Sequence, residues 1–261
     1  MGHNRLGGLP GSPAWKQVLA LLDQSPDSAD LLSQAVVKAA DRTFARFANE
    51  EALAYSFWLL ARIAAASRAP GFLTTLVELG IAVTPETSAI ELIGLVSDRL
   101  DSVLARMGAP IMVADFSAQA VTAALAETVG RTQPRLFDTT ASALQDAVRA
   151  YATPARFGDL AQIFFGDFMS RTLTGIVDRA LPGHIGGGGG VVTVAESREV
   201  LAALDAHSRE TASVVRDFAG QWLDARVWDV EGNISRDHAR GFVGQAVQKL
   251  RSAFKHEVAE G

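Results

Sequence analysis

The sequence predicts an all-α protein, a multi-helix bundle of about ten helices, well above the helical share of an average domain. Three observations carry that prediction. Apolar residues recur with a period near 3.6 in every long segment. No convincing run of alternating polar and apolar residues marks a strand. Alanine is about one residue in six, and Leu, Arg and Glu add to the supply of helix formers.

The elements follow in chain order. Residues 1–12 are rich in Gly and Pro and read as extended. Ser12-Pro13 gives an N-cap and first helical position for a short helix, Pro13–Leu22, with Trp15, Val18, Leu19 and Leu22 at helical spacing. A helix over about Ser28–Ala48 carries Leu31, Leu32, Ala35, Val36, Ala39, Phe44 and Phe47. Asn49 opens the next, which passes through Phe57-Trp58-Leu59-Leu60 and stops before Pro70. Phe72–Leu79 makes a short helix with Gly80 just past its end.

Thr84-Pro85 repeats the cap-plus-proline signal and opens a helix to about Met107, with Gly108 and Pro110 behind it. Helices over Asp115–Val129 (ended by Gly130) and Thr139–Tyr151 follow. Thr153-Pro154 caps a long helix to about Leu181 that is apolar almost all round. Five glycines, Gly186–Gly190, precede a short extended piece, Val191–Val194. One long helix then spans about Ala195–Arg226, Asp229–Asn233 turns, and Ser235 caps the last helix, about Arg236–Val258.

The aperiodic stretch Arg131–Asp138 suggests an N-terminal helical lobe, 13–130, and a C-terminal one, 139–261, with a Gly-rich loop at 183–190. The two halves form either one core or two packed lobes.

Composition excludes several classes of function. The chain has 261 residues and no cysteine, which rules out disulfides, iron–sulfur clusters, thiolate zinc sites and a Cys nucleophile. A net charge of −5 argues against a nucleic-acid binder. The only mildly basic element is the last helix, with Arg236, Arg240, Lys249, Arg251 and Lys255. The longest apolar stretch, Ala52–Ala66, is interrupted by Arg62 and too short to span a bilayer. Residues Met1–Pro13 contain no apolar leader core, so a cytoplasmic location without membrane attachment is expected.

Four features could carry chemistry or contacts. The glycine run reads as a flexible connector between two long helices, or as a lid or anion loop. No P-loop lysine follows it, and Glu196 would repel an anion. Asp167 and Arg171 stand four apart in the polar sector of the long apolar helix and can pair along it. His207 lies on the face of the next helix that should be buried, with Glu210 three residues on. If the two helices form an antiparallel hairpin, Asp167, Arg171, His207 and Glu210 could line a polar ligand site. Trp15, Trp228, Phe242 and Phe254 are candidate partner contacts, though the stripe holding the two phenylalanines could equally dock on the chain's own core.

Catalytic and metal signatures are missing. No Glu-x-x-His, His-x-x-x-His or Gly-x-Ser-x-Gly occurs. No cofactor and no metal are expected. The sequence therefore favours a non-enzymatic protein that associates with other proteins or with itself, as a subunit of a bacterial multiprotein system. The alternative is a helical ligand-binding or sensor module with its site between the helices over 154–181 and 195–226.

Overall fold

The computed structural model describes residues 29–132, 140–180, 194–229 and 234–260. The expected helix Pro13–Leu22 with Trp15, the glycine run, residues 191–193 and most of the expected boundary at 131–138 lie outside them. Among the described residues all regular structure is helical: α1 (Ala29–Phe47), α2 (Glu51–Ala66), α3 (Phe72–Glu78), α4 (Ala89–Met107), α5 (Ile111–Glu127), α6 (Val129–Thr132), α7 (Ala141–Arg149), α8 (Pro154–Ala180), α9 (Val194–Thr211), α10 (Ser213–Asp229) and α11 (Arg236–Glu260). The fold is an all-α multi-helix bundle.

Local chemistry explains most of the boundaries. The end of α3 is a Schellman motif: Gly80 N–H donates to Val77 O and Ile81 N–H to Leu76 O, at 2.8 and 2.9 Å. Gly80 holds φ +80°, and Leu76 and Ile81 are both fully buried. Thr140 accepts from Ala143 N–H at the start of α7, and Ser235 from His238 N–H at the start of α11.

Several boundaries differ from expectation, among them the start of α5 at Ile111 rather than Asp115. Thr84-Pro85 does not open a helix. Thr87 Oγ1 accepts from Thr84 N–H instead, closing a turn, and α4 starts after Ser88. Ser88 and Glu91 form a reciprocal capping box: Ser88 Oγ accepts from Glu91 N–H, and Ser88 N–H donates to the Glu91 carboxylate at 2.8 Å. The Ser88 N–H and the Ser88 hydroxyl, both donating to it, hold the Glu91 carboxyl below its ordinary pKa. Gly130 does not end α5; the helix stops at Glu127, and Gly130 sits inside the single turn α6.

The single helix expected over 195–226 is two, α9 and α10, broken at Ala212. Thr211, Ser213, Val214 and Val215 around the break are all weak helix formers. After the break the fully buried face is Val215, Ala219 and Leu223, while Phe218 and Trp222 are only half-buried.

α8 is the axis of the bundle, packed against α5, α9 and α10. It is apolar almost all round because it is covered almost all round: Phe157, Phe164, Phe165, Phe168, Met169, Leu173, Ile176 and Val177 are buried. Its partners come unusually close. A Cβ on Gly158 would lie 2.4 Å from Arg216 O, and one on Gly220 would lie 2.1 Å from Pro154 O. One on Gly166 would lie 3.2 Å from Arg209 Cα. The pairings 158 with 216 and 154 with 220 make α10 antiparallel to α8.

One continuous cluster of buried apolar side chains runs from Val36 to Phe254 and draws on both sides of 133–139. Phe57 of α2 is its hub. Its ring meets Phe157, Phe164, Phe165 and Trp222 at 5.5–6.0 Å and stacks on Phe242 at 4.6 Å. Phe242 stacks on its other side against Phe218 at 4.7 Å. Trp58 Nε1–H donates to Ile234 O at 2.7 Å and ties the approach to α11 onto α2.

The close helix contact makes a clear prediction. Gly220→Ala should destabilise the protein by about 1–3 kcal/mol, because the added methyl meets backbone that cannot move aside. Gly241→Ala should stabilise it by about 0.5–1 kcal/mol, since nothing lies within 4 Å of the new Cβ. Urea denaturation of the two variants and the parent checks both signs.

Candidate functional site

A connected group of polar side chains lies where α8 meets α5 and α9. Its first part is the expected pair. Asp167 is 6% exposed, and both its oxygens accept from Arg171, from Nε and Nη2. Arg171 Nη1 donates across the seam to Gln119 Oε1 of α5 at 2.5 Å. Helix spacing alone brings the pair together, since residues four apart share a face.

The second part runs between α8 and α9. Ser170 Oγ donates to Asp205 Oδ1 at 2.8 Å, and Arg209 Nε donates to Asp205 Oδ2 at 3.0 Å. Arg209 Nη1 reaches Glu127 of α5 at 3.3 Å, while Gln162 Nε2 donates to the Arg209 carbonyl. Burial pulls the Arg209 guanidinium down, but the Asp205 and Glu127 carboxylates raise it by more, so its pKa stands above the ordinary arginine value. Gly166 lets α9 approach closely enough for these contacts.

The structure does not bring His207 and Glu210 to Asp167 and Arg171. Asp205 and Arg209 face α8 and α5, and His207 lies roughly 200° round the helix from Asp205. The His207 ring packs 5.1 Å from Phe254 of α11 instead, and it is half-buried rather than buried as expected. Glu210 is exposed. Asp205 and Arg209, the residues that do join the polar seam, repeat the four-residue Asp–Arg spacing of 167 and 171. That repeat was the available signal. Nothing local marks Gln119 and Glu127, which enter from α5.

The expected partner contacts are also redistributed. Phe242 and Phe254 are 2% and 4% exposed and belong to the chain's own core, so neither ring is open to a partner. Phe254 stacks on Phe44 of α1 at 5.9 Å. Trp228 falls inside α10 rather than beyond its end, and its side chain and Trp15 lie outside the described residues.

In this seam donors meet acceptors across three helices. Such a network fixes how the helices rotate and slide against one another. No group of three or more His, Asp or Glu suited to a metal occurs among the described residues. Among those residues no helix is long and apolar enough to cross a membrane.

Removing the buried carboxylate charge tests the structural weight of the seam. Asp167→Asn should cost about 1–3 kcal/mol of stability, the range for a charged hydrogen-bonded group. Glu210→Gln should stay within about 0.5 kcal/mol of the parent, as a surface change does. Equilibrium denaturation compares the two. Comparison with known proteins adds no template: no family model, no curated protein and no solved structure matches the chain.

Proposed function

We propose that this chain is a non-enzymatic helical protein that works by associating with another protein or with a second copy of itself, as a cytoplasmic assembly subunit of a bacterial multiprotein system. The observation that supports this best is an open groove of about 550 Å³ between the first turn of α10 and α11. Val214, 39% exposed, and Ala253 give it apolar surface. Gln245, Gln248, Lys249 and Ser252 supply polar groups along the same groove. Apolar surface beside neutral and singly charged polar groups is the make-up of a protein contact. Lys249 is held 5.5 Å over the Phe218 ring, which limits its freedom before any partner arrives.

The polar seam supports the non-enzymatic part of this reading. Its ionisable groups engage one another, and that arrangement suits positioning helices better than turning over a substrate. A second reading remains, a ligand-binding or sensor module with its site between α8 and α9. It draws on the convergence of Asp167, Ser170, Arg171 and Asp205 at one seam.

The test is light scattering of the purified full chain, paired with capture from its own host and mass spectrometry. A dimer or a stoichiometric protein partner, lost in Val214→Glu, is the expected result. A monomer without a partner, indistinguishable from Val214→Glu, would contradict the proposal.

A further inference from the structure

A second cleft, of about 420 Å³, opens where the end of α2, the end of α7 and the start of α8 meet. It is lined by Arg68, Arg149, Ala152, Thr153 and Pro154. Two guanidinium groups thus share one small cleft, in a chain whose net charge is negative.

Both arginines are held in place by bonds that leave donors over. Arg149 Nε donates to Ser67 O at 2.9 Å, beyond the end of α2. Gln145 Nε2 donates to Ser67 O and Ala69 O. The carbonyls at that helix end are therefore covered by donors and do not confront an incoming anion. Arg68 Nη1 donates to Ala152 O at 3.3 Å and contacts Asp224 of α10 at 3.4 Å. Its Nε and Nη2 have no partner among the described residues, and its side chain keeps 28% exposure. The positive end of the 27-residue helix α8 adds to the same potential.

Two carboxylates balance these charges. Asp146 lies 3.7 Å from Arg149 with 66% exposure, and Asp224 is 40% exposed. Both contacts are long and solvated, and pairs of this kind are weak. An anion with several oxygens can compete with Asp224 for the Arg68 fork and take a second guanidinium at the same time.

We infer that the cleft between α2, α7 and α8 is a binding site for the phosphate group of a small molecule, held by Arg68 and Arg149 and opposed by Asp224. The site is separate from the groove at α11 and from the polar seam. Asp224 acts as an internal competitor, so its neutralisation strengthens binding. That gain cannot come from misfolding.

Isothermal titration of the full chain with inorganic phosphate, at ionic strength matched with chloride, tests the site. A phosphomonoester forms a second arm. Saturable binding of either is expected, weakened at least fivefold in Arg68→Gln. Asp224→Asn should tighten it about two- to fivefold, the worth of a solvated pair. The tighter arm tells whether the free ion or the esterified group is the better ligand. No saturable heat from either, or equal affinity in the parent, Arg68→Gln and Asp224→Asn, would overturn the inference.

Discussion

The contact between α8 and α10 at Gly158 and Gly220 sets the geometry on which the rest of the bundle depends. At each glycine the partner backbone occupies the space a side chain would need. Helix axes normally stand 8–10 Å apart, the distance set by the side chains between them. With no side chain at the crossing, α10 settles directly against α8. The same turns carry Phe218 and Trp222 to the Phe242 and Phe57 rings. A wider spacing would pull these aromatic contacts apart and leave a void that the core could fill only by rearranging.

The polar seam addresses a different problem. Apolar packing holds helices together with little preference for how they slide or rotate, whereas directional bonds do prefer one register. Arg171 links α8 to α5 through Gln119, and Arg209 links α9 to α5 through Glu127. The exposed parts of the seam contribute little to stability, since solvated ion pairs are weak. Its buried part, Asp167, would be costly to leave without its partner. The same division runs through the molecule: aromatic rings supply cohesion, and arginine pairs such as Arg251 with Asp41 fix alignment.

What could be read in advance was local. The all-α class, the helix end at Gly80, the cap at Ser235 and the Asp167–Arg171 pair all depend on residues within about four positions of one another. The reading failed where two local signals competed: Thr84-Pro85 resembles a helix start, but Ser88 with Glu91 makes the better one. It failed again where the phase of a helix depends on its neighbours. The break at Ala212 shifts the buried face, and His207 meets Phe254 rather than Asp167. The close glycine contacts look like ordinary helix glycines in the sequence, because what fills the space beside them comes from about sixty residues away. The candidate clefts share that character, each assembled from elements distant in the chain.

The central claim is that α8 is the structural axis, locked by its glycine contact with α10. Native-state hydrogen exchange read by mass spectrometry on the full chain tests it most directly. The account predicts that the amides of α8 from about Gly158 inward and the stretch of α10 around Gly220 are the last to exchange, opening only with global unfolding. Exchange in α8 ahead of the peripheral helices α4 and α7 would contradict it.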